Sequence, residues 1–226
     1  MALRFWIVPA LLSLGASAQQ TNAPAPIVQP GAPGVSGRIL TPEAAAIVPR
    51  QPTEADTKFM QGMIMHHSQA VEMTALMPTH THNKELLALG KRISISQTDE
   101  MKYMKQWLEE RGKPVEMAHD MSHMNHMAGM DHGKMAPMMM PGMLTPEQMA
   151  QLAQAKGPAF DTLFLVGMIH HHEGAITMVK DLIHTEGGGL APEVFTFATD
   201  ADADQRAEII RMRSVLDAIT HGGSKS

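Results

Sequence analysis

The chain has no cysteine in its 226 residues. Disulfide stapling, zinc–thiolate sites and thiol nucleophiles are therefore excluded, and the fold must hold by packing alone. Aromatic residues are also scarce, at 4%. Beyond Phe5 and Trp6 there remain only Trp107, Tyr103 and Phe59, Phe160, Phe164, Phe195 and Phe197. Basic residues do not dominate: 18 Lys and Arg stand against 23 Asp and Glu, for a net charge of -5. Without a basic stripe to neutralise phosphates, nucleic acid is not an expected partner. Beyond the N-terminal segment no run of about 20 apolar residues occurs, so no membrane span is expected in a mature chain.

Methionine is what the chain has in excess, 22 residues of it. With so few aromatics, some of these must serve as flexible core filling.

Residues 1–18 read as a secretory signal peptide: Arg4 is the positive start, Phe5 to Leu14 the apolar stretch, and Ala16-Ser17-Ala18 the small-residue cleavage site. Secretion across the inner membrane to the periplasm is the expected destination. Removing Arg4 would take the charge from -5 to -6. Residues 19–52 are rich in Pro, Gly and Ala and predict a flexible tether, with one helical turn after Thr41-Pro42-Glu43. Thr53 should cap a helix running from Glu54 until Pro78 stops it, and Asn83 a second helix ending near Gly112. Thr145-Pro146-Glu147-Gln148 carries the cap, the N1 proline and the reciprocal Gln of a short helix. A third long helix is expected from Ala159 to Glu186, ended by three glycines, and a fourth from Pro192 to His221-Gly222-Gly223.

The long helices repeat. Asp56-Thr57-Lys58-Phe59-Met60-Gln61-Gly62-Met63-Ile64-Met65-His66-His67 recurs 105 residues later as Asp161-Thr162-Leu163-Phe164-Leu165-Val166-Gly167-Met168-Ile169-His170-His171-His172. Ala70/Ala175 and Met73/Met178 continue the match, and Gln97/Gln205, Glu100/Glu208, Met104/Met212 and Leu108/Leu216 match at a shift of 108. A helix hairpin duplicated in tandem predicts an all-α four-helix bundle over 53–221, with hairpins 53–112 and 157–221 around an insert at 113–156.

At about 100° per residue, Phe59, Met63, His66, Ala70, Met73 and Met77 fall on one stripe. Phe164, Met168, His171, Ala175, Met178 and Leu182 form the equivalent stripe. His66 and His171 thus face the bundle, His67 and His172 lie at its flank nearer the edge, and His170 points to solvent. The partner helices place Gln97 and Gln205 on their buried faces. Unpaired buried polar groups cost roughly 1–3 kcal/mol, so each Gln is expected to hydrogen-bond the His of its own hairpin. Two readings stay open. The pairs could be satisfied core groups that fix helix register. Alternatively the imidazoles bind metal, with Gln97 and Gln205 orienting them and Met63, Met73, Met168 and Met178 supplying thioethers.

Residues 117–143 hold 10 of the 22 methionines and 4 of the 13 histidines. Met117, His119, Met121, His123, Met124, His126, Met127, Met130 and His132 follow one another with little Leu, Ile or Val between them. A core segment would mix those residues in. A thioether binds Cu(I) without losing a proton or forming disulfides, and imidazole adds affinity for Cu(II), so copper is the expected ion, with Ag(I) as its surrogate. Spacings of three and four would gather the ligands on one side if the segment coils on binding.

The doubled Met-Ile-x-His-His motif, the Gln-x-x-Glu partner helices and the leader resemble the "domain of unknown function 305" family, over about 54–112 and 157–220. That resemblance implies a ferritin-like bundle and a role in copper handling, in a family that includes a periplasmic copper-binding protein. Carried across, it implies Met63, His66, His67 and Met73 with Met168, His171, His172 and Met178 as ligands. The family's Pro before His-His is replaced here by Met65 and His170. A non-enzymatic copper chaperone, scavenger or reservoir is the first expectation, with another envelope copper-handling protein as a partner. The alternatives are a ferritin-like metal oxidase and an adaptor bundle that binds metal incidentally. An oxidase needs inward Glu and Glu-x-x-His pairs, whereas the one such pair, Glu116 and His119, lies outside the stripes.

Overall fold

A computed structural model describes residues 26–45, 51–117 and 139–222. The chain divides into two units, residues 1–48 and 49–226.

In the first unit, β1 (Ile27–Gln29) pairs antiparallel with β2 (Arg38–Leu40) in the register Ile27↔Leu40, Val28↔Ile39 and Gln29↔Arg38. Gly34, at φ +86°, turns the connecting loop. Thr41 then caps the four-residue α1 (Pro42–Ala45), accepting from the Ala44 amide at 3.2 Å. Reading 19–52 as a tether with one helical turn omits this hairpin. Its β-branched residues, Ile27, Val28 and Ile39, are only three inside a Pro/Gly-rich composition, too few to register as strands.

The second unit is an all-α bundle. Its elements are α2 (Glu54–His80), α3 (Lys84–Glu110), the short α4 (Pro146–Gln154), α5 (Gly157–His184) and α6 (Pro192–Gly222). Thr53 and Asp56 form a capping box at the start of α2. Asp56 also accepts from the Gly189 amide at 2.7 Å, and the Thr53 hydroxyl donates to the Gly187 carbonyl at 3.1 Å, tying this helix start to the α5–α6 turn. Helix α2 runs through Pro78 instead of stopping there. The proline costs one rung near the end, and Thr81 closes the helix with its amide on the Met77 carbonyl at 3.1 Å. Thr145 and Gln148 make a second capping box at α4.

The buried side chains form two apolar clusters. One gathers Phe59, Met60 and Met63 of α2 with Met178, Val179 and Leu182 of α5, and with Met104, Trp107 and Leu108 of α3. The other gathers Ala70, Met73 and Met77 with Phe160, Phe164 and Met168, and with Leu86, Ile93 and Met212. The repeat therefore has a spatial counterpart. Residues before the first His-His pair pack with residues after the second, and the reverse, so a layer of histidines crosses the middle of the bundle.

Candidate metal centre

Four imidazoles occupy that layer. His66, His67, His171 and His172 are all 0% exposed. The rings of His66 and His171 lie with centroids 3.7 Å apart and planes tilted by 34°. Each His-His pair places its second ring about one helical step round, at 6.3 Å for His66–His67 and 6.2 Å for His171–His172. His67 and His172 thus do not sit at an open edge as the helical wheel predicts. The partner helices α3 and α6 cover that flank completely.

Every one of the four uses Nε2 against an oxygen. His66 Nε2 lies 3.0 Å from the Pro141 carbonyl, and His171 Nε2 lies 2.9 Å from the His66 carbonyl. A carbonyl can only accept, so both Nε2 atoms carry the proton. His67 Nε2 meets Glu100 Oε2 and His172 Nε2 meets Glu208 Oε2, each at 2.6 Å. All four Nδ1 atoms are buried without a hydrogen-bond partner among the described residues. Burial, reinforced by the neighbouring His67, pushes the His66 pKa down to about 3, against the opposing effect of the Pro141 carbonyl. Burial and the other three histidines hold His171 well below the ordinary imidazole value. At neutral pH these two rings are neutral, and each presents an unshared Nδ1 lone pair. Burial works to raise Glu100, yet its bond and charge interaction with His67, helped by the Ser96 hydroxyl at 2.8 Å, hold its carboxyl below the usual range.

The expected Gln–His bonds are absent. The side-chain oxygens of Gln97 and Gln205 are buried and unpartnered. The residues one turn further along, Glu100 and Glu208, take the role instead. A carboxylate is the stronger acceptor for an imidazole N–H, and Glu100, three residues on from Gln97, stands about 60° round the helix from it, on the flank of the stripe. Both glutamates stand in the repeat at the same shift as the glutamines, so the signal was present in the sequence. Carboxylate or carbonyl on one ring nitrogen with the other left free is the arrangement that orients metal-binding histidines.

The candidate thioethers divide between the two clusters. Met63 and Met178 lie on one side of the layer, Met73 and Met168 on the other, all four buried. His170 is exposed as expected. Among the described residues no three His, Asp or Glu side chains converge on one point to hold a cation. Of the insert, Met117 is described and half-buried. His119, Met121, His123, Met124, His126, Met127, Met130 and His132 lie outside the described residues, as does the leader 1–18.

The return of the insert to the bundle is held closely. Gln69 brackets Leu144, donating to its carbonyl at 2.9 Å and accepting from its amide at 2.7 Å. A Cβ built on Gly174 would lie 1.9 Å from the Pro141 carbonyl oxygen, so only glycine lets residues 141–142 cross α5 there. Pro141 is also the residue that His66 holds.

A duplicated helical hairpin with a buried, carboxylate-backed histidine layer defines a class of bundle, and comparison places it. The chain belongs to the DUF305 family, a domain of unknown function whose family model matches residues 56–216. A DUF305 fragment from Deinococcus radiodurans superimposes with a TM-score of 0.60 at 27% identity, covering 74% of this chain and 98% of that one. A DUF305 protein from Streptomyces coelicolor gives the same TM-score and identity, covering 74% and 94%. CopM in its Cu(I)-bound form matches with a TM-score of 0.51 at 26% identity, covering 73% and 95%. CopM in its Cu(II)-bound form gives 0.50 at 27%, covering 72% and 96%. No functionally curated protein matches the chain. Among the described residues no helix is long and apolar enough to cross a membrane.

Proposed function

We propose that this protein binds copper, as Cu(I) by preference and Cu(II) as well, and carries or stores it in the periplasm without turning over a substrate. The observation that carries the reading is the histidine layer. His66 and His171 have their protons committed at Nε2 and unpartnered lone pairs at Nδ1, between two clusters rich in methionine. Leaving four buried nitrogens unsatisfied costs stability, which a bound soft ion would offset. The likeness to CopM, solved with Cu(I) and with Cu(II), supports the choice of metal. The Met/His insert would act as a looser reservoir feeding the ordered layer, and Ag(I) would substitute for Cu(I). A recipient would be another copper-handling protein of the envelope.

Competition with a chromophoric Cu(I) chelator tests this. More than one Cu(I) per chain is expected, and a stoichiometry near zero would overturn the proposal. Catalytic oxidation of Cu(I) or Fe(II) by the purified protein would overturn the non-enzymatic part.

A further inference from the structure

Two glycines occupy equivalent places in the repeat, Gly62 on α2 and Gly167 on α5. A Cβ on Gly167 would meet Leu144 Cδ2 at 3.1 Å and Met73 Cε at 3.3 Å. A Cβ on Gly62 would meet Met178 Cε at 3.4 Å and Met140 Sδ at 3.5 Å. Met73 and Met178 are repeat counterparts, so the two cradles correspond, each glycine opening space for a methionine of the other hairpin. They differ in the third residue. Over Gly167 it is a buried leucine, an ordinary packing side chain. Over Gly62 it is Met140, with its sulfur turned to the glycine.

The Gly62 cradle also opens into a cavity of about 360 Å³ whose lining includes Met117, Met140 and Met178, with Phe59 and Leu182 beside them and Lys58 and Asp181 also on its wall. The counterpart cavity beside Gly167, of about 330 Å³, is lined by Leu144, Leu152, Leu163 and Val166 with Gln148, Gln151 and His170, and by no methionine. One methionine serves each cradle, Met73 in the second copy and Met178 in the first, but where the second adds Leu144 the first adds the thioethers of Met140 and, from the cavity wall, Met117. Met117 and Met140 also stand near the two ends of the Met/His-rich run 117–143, one at its departure from the bundle and one at its return. The Pro141 carbonyl, one residue on from Met140, is held by His66 Nε2 at 3.0 Å, which anchors the cradle against the histidine layer.

We propose that Met117, Met140 and Met178 form a separate all-thioether site for a soft monovalent ion, Cu(I) or Ag(I), at the root of the insert. The identity of the ion rests on the copper reading above; the position rests on the contrast between the two cradles. Three neutral sulfurs bind such an ion without releasing protons and discriminate against zinc and other harder cations. The site lies where an ion gathered by the insert would pass to His66.

The test is titration of the full mature chain, labelled with methyl-¹³C methionine, with silver nitrate. The methyl resonances of Met117, Met140 and Met178 should shift together over one equivalent. The triple variant Met117→Leu, Met140→Leu, Met178→Leu should bind one Ag(I) fewer per chain, while Met60→Leu in the core keeps the full number. If the wild-type protein takes up Ag(I) while these three resonances stay unmoved, the site is wrong and the general reading stands. Full stoichiometry in a helical triple variant would also overturn it. If the wild-type protein binds no ion at all, both readings fall.

Discussion

Lowering the pH should destabilise the metal-free protein well before its carboxylates titrate. His66 has a folded pKa of about 3 against an ordinary value of 6.5, because burial disfavours its cation. In the unfolded chain the same imidazole takes up a proton as the pH falls below 6.5, whereas in the folded state it stays neutral. The unfolded state therefore binds more protons, and stability falls with pH from 6.5 until the folded group titrates. At pH 5 the loss is about 2 kcal/mol from His66, and His171, shifted in the same direction, adds to it. Even the His66 share of about 2 kcal/mol is a substantial part of the roughly 5–15 kcal/mol that holds a typical domain together. Glu100, with its pKa lowered from 4.5, contributes stability that is present above that value and lost only as pH falls further. The interval from pH 7.5 to 5 thus isolates the imidazoles. Urea unfolding of the metal-free chain at the two pH values, followed by circular dichroism, measures the difference. His66→Gln should reduce it by about 2 kcal/mol. If that variant does not fold, the wild-type difference alone decides, and a stability that is flat or rises towards pH 5 would refute the burial of neutral rings.

Other perturbations follow from the same geometry. Glu208→Gln or Glu100→Gln should weaken Cu(I) binding by about 10–100-fold in chelator competition, because each removes the charged acceptor that orients a buried imidazole. Gln69→Leu leaves the amide and carbonyl of Leu144 without their partner and should cost about 1–3 kcal/mol in urea unfolding. Gly174→Ala drives a methyl into the Pro141 carbonyl, and a loss of about 1–3 kcal/mol is expected by the same measurement. Deleting 118–138 and joining the ends should lower the copper bound per chain while the far-UV spectrum of the bundle persists.

That deletion is shorter than the composition of the insert would suggest, and the reason shows what the sequence could and could not convey. Helix starts were legible because capping is local: Thr53 with Asp56 and Thr145 with Gln148 carry their partners three residues away. The bundle was legible because duplication is visible as identity at a fixed shift. The stripe of His66 and His171 followed from helical periodicity alone. What periodicity does not hold is the depth of the groove between neighbouring helices. His67 and His172 looked peripheral on their own helices, and only α3 and α6 packed beside them make them buried. The same limit misassigned their partners. Gln97 and Gln205 lie on the buried stripe, but Glu100 and Glu208 reach the rings because the flank, and not the centre, is where the second imidazole points. Residues 139–143 belong by their methionines to the Met/His-rich run, yet His66 and Gly174 at 141–142 and Gln69 at Leu144 tie this return to the bundle. Such long-range backbone bonds leave no local trace.

X-ray absorption at the copper edge, on the full chain loaded with Cu(I), tests the central claim most directly. Sulfur and nitrogen scatterers together around a three- or four-coordinate Cu(I) are the predicted result, with the nitrogen contribution falling in His66→Gln. A coordination sphere of light atoms alone, or a protein that retains no copper through gel filtration, would contradict it.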